Sequence, residues 1–184
     1  QKDCLLTMVL ITLLCTSIEA QRISYSTPEF RLRTEWSMEV NPDMPHQEYP
    51  RPNMVRPDWR SMNGRWYFGK SKKDDGIPPR FRREIIVPFP VESALSGIQE
   101  EIGPDDKIWY KRTFFVPEEW SGRFVLLHFG ASDWETSVYI NGIEIGKHRG
   151  GYDPFSFDIS SYLDERGVQE IIISVWDPTD AHHQ

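Results

Sequence analysis

Apolar and polar positions along residues 107–176 follow a period of two, broken at short intervals by turn residues. In KIWYKRTFFV (107–116), Ile108, Tyr110, Arg112 and Phe114 fall on one face, and Trp109, Lys111, Thr113 and Phe115 on the other. RFVLLHF (123–129) is apolar at nearly every position, which predicts a strand buried between two layers, with His128 as a hydrogen-bonded core histidine. Asn141-Gly142 lies between VYI and IEI, the pattern that favours a two-residue hairpin turn. FSFDI (155–159) and VQEIIISVW (168–176) read as further strands. Between them Ser161 and Asp164 are placed to cap one helical turn ending near Gly167. Upstream, RWYF (65–68) and REIIVPF (83–89) predict two more strands. The polar excursion KSKKDDGIPPRF separates them, and a loop with one helical turn, SALSGIQEEIGPDD, follows. Strand-like runs about ten residues apart, each closed by Pro, Gly, Asn or Asp, indicate an all-β sandwich or barrel.

Residues 21–60 show neither period. NPDMPHQEYPRPNMVRPDW is too rich in proline for a helix or a central strand. This predicts an extended strap across the domain surface, anchored by Tyr49, Met54, Val55 and Trp59, with the folded sandwich occupying residues 61–184. The chain opens on Gln rather than Met, so its first residues are expected to be missing. Lys2, an apolar run over residues 5–14 and Ala20 before Gln21 have the layout of a secretory leader, expected over residues 1–20, although Ile18 fits the cleavage rule poorly. The run is too short to span a bilayer. Both cysteines, Cys4 and Cys15, lie inside it, so the mature chain is expected to hold together by its core rather than by disulfides. Seven Trp, ten Phe and seven Tyr supply that core. The destination expected is extracellular or the lysosomal lumen, with no attachment to a membrane after the leader is removed. A net charge of −7 without a basic block argues against nucleic acid or an anionic membrane as partner.

Candidate chemistry is sparse. No nucleophile elbow, phosphate-cradling glycine loop or HExxH occurs, and His182-His183 lacks a spaced third ligand, so neither a metal nor a cofactor is expected. The acid pairs Asp74-Asp75, Glu100-Glu101, Asp105-Asp106 and Glu118-Glu119 sit in turn-like segments, where neighbouring carboxylates diverge into solvent. One loop can carry function: residues 147–154, KHRGGYDP. His148, Arg149 and Tyr152 there, with Asp133 and Trp134 before the hairpin, offer aromatic faces and hydrogen bonds suited to a sugar. The competing reading, an ordinary turn packed on the sandwich or against a neighbouring domain, is favoured, because Gly-Gly and Asp-Pro are common turn chemistry.

The elements RPDW, NGRWYF, VPFPVES, IWYKRTFFVPEEWSG, RFVLLHFGA, VYINGIEIG, HRGGYDPFSFDIS and VWDPTD span residues 49–180. In that order they resemble glycoside hydrolase family 2, the family of β-galactosidases, β-glucuronidases and β-mannosidases. The resemblance implies the N-terminal sugar-binding domain, a jelly-roll (galactose-binding-like) β-sandwich, expected here without its last strands. In the family an immunoglobulin-like sandwich and a TIM barrel follow. The barrel holds the two catalytic glutamates of a retaining hydrolase. No catalytic residue is therefore assigned to this chain, which is expected to be inactive alone. Its expected partners are those two domains and, through the parent enzyme, a carbohydrate substrate; a homo-oligomer is also open. VPFPVES leans towards the β-galactosidase branch. The alternatives are a free-standing lectin-like module and a purely structural buttress.

Overall fold

The computed structural model describes residues 34–51, 53–164 and 167–178. The expected leader, the start of the strap and the His182-His183 pair lie outside these residues. The described residues contain eight strands and four single turns of 3-10 helix, and no α-helix. The strands are β1 (Gly64–Lys72), β2 (Arg83–Val87), β3 (Asp106–Phe115), β4 (Leu126–Phe129), β5 (Glu135–Ile140), β6 (Ile143–Arg149), β7 (Phe155–Asp158) and β8 (Val168–Trp176). Six form one antiparallel sheet in the order β2-β1-β3-β8-β5-β6, and β4 pairs with β7 in a second. The protein is an all-β sandwich, as the alternation predicts.

Register explains the core. Phe68 stands opposite Tyr110, Tyr110 opposite Ile173, and Ile173 opposite Val138, so one row of the large sheet presents four apolar groups to the same side. Trp66, Ile85, Ile140 and Ile171 extend that face, which packs against Val125, Leu127, Phe129, Phe157 and Ile159 from the β4–β7 layer. Fully burying each such aliphatic or aromatic side chain is worth roughly 1.5–3 kcal/mol. Arg112 points to the same side. Its Nη1 donates to the carbonyls of Met62 (2.7 Å) and Asn63 (3.1 Å), tying the entry of β1 to β3.

The opposite face of the large sheet is partly covered as well. Trp109 is only 2% exposed and donates from Nε1 to Ser71 Oγ at 2.8 Å. Gly69 lies beside it in register. A Cβ built on Gly69 would sit 2.9 Å from Pro78 and 3.4 Å from Phe81. The segment expected to be a polar excursion thus folds its Pro and Phe onto the sheet, and β1 runs on through Lys72.

Three further expectations change. β4 is not buried on both sides: Leu126 is 51% exposed and Phe124 84%. The small sheet is an outer layer, so only alternate residues face the core. His128 is exposed on its outer surface rather than in the core, with Nδ1 2.6 Å from Ser156 Oγ and its ring stacked on Trp59 at 6.2 Å. The turn after β7 spans Ser160–Tyr162 and is not capped by Ser161. Instead Asp158 Oδ1 accepts from the Ser160 backbone N–H (2.9 Å) and hydroxyl (2.5 Å), which holds that carboxyl below the ordinary aspartate range.

In the strap, Tyr49 and Trp59 meet edge-on at 4.9 Å, and Asp58 pairs with Arg123 at 2.8 Å. Met54 and Val55 are not buried anchors: both are exposed, Val55 to 91%. The chain here reaches the sandwich through its aromatic rings and through polar contacts such as Asp58 on Arg123 and Arg60 on the Phe115 carbonyl, and the two aliphatic residues fall on the solvent side.

Candidate functional site

The sequence candidates gather at one end of the large sheet, where β5 begins and β6 and β8 end. Glu135 stands opposite both Arg149 and Trp176 in the register. Arg149 Nε and Nη2 each lie 2.7 Å from Glu135 Oε2, and its guanidinium carbon sits 5.6 Å from the centre of the Trp134 ring. Trp134 meets Trp176 edge-on at 6.3 Å. Trp176 is fixed in turn by its Nε1–H on the Pro104 carbonyl (2.7 Å) and carries Lys73 Nζ over its ring at 5.4 Å. Two cations thus flank a pair of indoles along this edge, an arrangement worth about 0.5–1 kcal/mol per exposed cation–ring contact.

The loops on either side are latched together. The Gly150 N–H donates to the Trp134 carbonyl at 3.0 Å. Asp133 presses its carboxyl against Gly151, where an added Cβ would lie 2.5 Å from Oδ1 and 2.6 Å from Cγ. The Asp133–Trp134 peptide is cis. Partial burial of the Asp133 carboxyl, and then the charge of Asp177, raise its pKa above the ordinary aspartate value. Close approach of a carboxyl to backbone is the reason this position has no side chain of its own.

His148 turns the other way. It lies opposite Thr136, which is fully buried, and so enters the space between the sheets. Its ring stacks on Phe155 at 4.0 Å and 13°, and Phe155 stacks on Phe129 at 4.6 Å and 8°. Its Nε2 is buried without a hydrogen-bond partner, 3.6 Å from where a Gly150 Cβ would stand. This three-ring column joins β6, β7 and β4 and closes the sandwich. Tyr152, by contrast, is 80% exposed.

The five candidates therefore share one region without converging on one cavity. Asp133, Trp134 and Arg149 form a braced edge, His148 is part of the inter-sheet packing, and Tyr152 projects. Glu135, Trp176 and Lys73 are the members that motif reading did not single out. Strict alternation from the hairpin would have put Glu135 opposite His148; the register shift between Val138 and Tyr139 brings Arg149 there instead, and the approach of Lys73 to Trp176 depends on a distant loop. Among the described residues no group of three or more His, Cys, Asp or Glu is placed to hold a metal ion.

Comparison with known proteins bears on the same segment. Residues 84–183, more than half of the chain, match the family described as glycosyl hydrolases family 2, sugar binding domain. A β-glucuronidase of Paenibacillus borealis is 29% identical over 118 residues, covering 61% of this chain and 20% of its own length. The human β-glucuronidase is 28% identical over 133 residues, covering 62% of this chain and 20% of its own. A β-galactosidase of Thermoanaerobacter pseudethanolicus is 39% identical over a shorter stretch of 64 residues, 35% of this chain and 9% of the relative. Among solved structures, a Ruminococcus gnavus β-glucuronidase in complex with D-glucuronic acid superposes with a TM-score of 0.52 at 26% identity. It covers 64% of this chain and 21% of that one. The chain spans about a fifth of the length of the glucuronidases it matches.

Proposed function

The chain belongs to glycosyl hydrolases family 2 through the sugar binding domain, and on that premise we propose that it serves a β-glucuronidase-type glycosidase as a non-catalytic buttress. The observation that carries the buttress reading is the internal engagement of the candidate groups. Arg149 is spent on Glu135 and Trp134, Asp133 on Gly151, and His148 on Phe155, so the edge is built to hold shape. Tyr152 is 80% exposed, while Asp133 and Arg149 are exposed but braced.

The sugar reading rests on the relatives. VPFPVES leans towards galactosides, but the glucuronidases match over roughly twice the length of the galactosidase, which moves the reading to a β-glucuronide. Passage through the secretory pathway belongs to the same proposal and rests on the leader-like residues 1–20.

The test is an assay of the complete protein that carries this chain, on 4-nitrophenyl β-D-glucuronide and the matching β-D-galactoside. Turnover of the glucuronide with little of the galactoside is expected, and residues 21–184 alone should turn over neither. Preference for the galactoside would overturn the sugar assignment. Tyr152→Ala in the complete protein should leave KM unchanged; a several-fold rise in KM at unchanged stability would replace the buttress with direct sugar contact.

A further inference from the structure

Asn141-Gly142 is more than a hairpin turn. Asn-Gly is the dipeptide most prone to spontaneous deamidation, because glycine leaves the following amide nitrogen unshielded. The Gly142 nitrogen attacks Asn141 Cγ, ammonia leaves, and the resulting succinimide takes up water to give aspartate or isoaspartate. The reaction needs no reagent beyond water, and its gate is conformational: Cγ must rotate towards Gly142 N and the side-chain amide must be free to depart.

In this fold neither freedom exists. Asn141, at φ 50°, donates from Nδ2 to the Tyr162 carbonyl (2.8 Å) and to Gln169 Oε1 (2.7 Å), and accepts at Oδ1 from the Glu170 N–H (2.9 Å). Gln169 is itself fixed and only 1% exposed. Its Oε1 accepts from the Asp164 N–H (2.7 Å) and its Nε2 donates to the Asp164 carbonyl (2.8 Å). Every donor meets an acceptor, so the orientation of both amides is determined by the network. Rotating Cγ breaks all three Asn141 bonds at once and leaves the buried Gln169 oxygen with one donor fewer.

We propose that Asn141 is a modification site gated by the fold: its amide persists while the β5–β6 turn stays docked on the start of β8, and converts when that end opens. The product cannot re-enter the lock. An aspartate oxygen in place of Nδ2 would face two acceptors, the Tyr162 carbonyl and Gln169 Oε1, and isoaspartate adds a backbone atom to a two-residue turn. Opening is thereby recorded irreversibly in the chain.

The experiment holds the full chain at mildly alkaline pH, native and in urea, and quantifies conversion of the Asn141 peptide by mass spectrometry. The Asn63-Gly64 peptide in the urea sample reports that the chemistry proceeds. Native conversion at Asn141 should be at least about tenfold slower than in urea, the factor corresponding to an opening free energy of about 1.4 kcal/mol. Gln169→Leu, which removes one acceptor and the brace on Asp164, should convert several-fold faster than the parent under native conditions. Equal rates at Asn141 in native and denatured parent, or a folded Gln169→Leu no faster than the parent, would overturn the proposal.

Discussion

Asp133 shows how a single residue joins shape to titration. Its carboxyl lies against the Gly151 backbone and near the Asp177 charge, and both effects favour the neutral acid in the folded state. The unfolded chain releases that proton near the ordinary aspartate value of about 3.9. Between that value and the raised folded one, the native state binds more protons, so stability falls as pH rises through this window and stays lower above it. Asp133→Asn removes the titrating group, and the fall attributable to it should vanish from a melting-temperature profile recorded from pH 3 to 7. An unchanged profile would show that the carboxyl is solvated like any exposed acid. Asp133 and Trp134 were legible as neighbours of the hairpin. Their latch onto Gly150 and Gly151 was not, because it is made by backbone approach rather than by a side-chain pattern.

At the scale of elements, the alternation in KIWYKRTFFV assigns the core face of β3 correctly for Ile108, Tyr110 and Phe114. The Asn-Gly turn appears where the pattern places it, with φ of 50° and 82° at its two residues. What alternation misses is the partner layer. RFVLLHF is apolar at nearly every position, yet β4 is an outer strand, since a run of apolar residues cannot tell a face covered by a second sheet from one left at the surface. The two layers approach closely at Gly146, opposite Val138 beside an irregularity in the β5–β6 register, where an added Cβ would collide with the Phe157 ring. Gly146→Ala should therefore lower stability by about 1–3 kcal/mol, measured by chemical denaturation. A loss of less than a few tenths of a kcal/mol would mean that Phe157 withdraws freely and the sheets are loosely joined.

Across the whole molecule, the strap over residues 53–60 meets the small sheet through Trp59 on His128 and Asp58 on Arg123. The other described residues of that stretch are exposed. Arg60 Nη1 also donates to the Phe115 carbonyl at 3.1 Å. That exposed hydrogen bond and the exposed ion pair are each worth on the order of 1 kcal/mol, so the indole is the largest single attachment. Trp59→Ala should free the strap without unfolding the sandwich, giving faster tryptic cleavage after Arg60, the arginine of this stretch not followed by proline, at a nearly unchanged melting temperature. Cleavage as slow as in the parent would show that the strap is held elsewhere.

The sequence by itself determined the strands, the hairpin turn and the all-β class, and its ordered motifs carried the family resemblance. These depend on period-two alternation and turn chemistry, which act within a few residues. The tertiary structure decided which apolar faces are covered, that His128 lies outside and His148 between the sheets, and that Asn141, Gln169 and Asp164 close one network. Each of those outcomes is a contact between segments far apart in the chain, and its energy depends on which surfaces meet, a quantity that no local pattern contains.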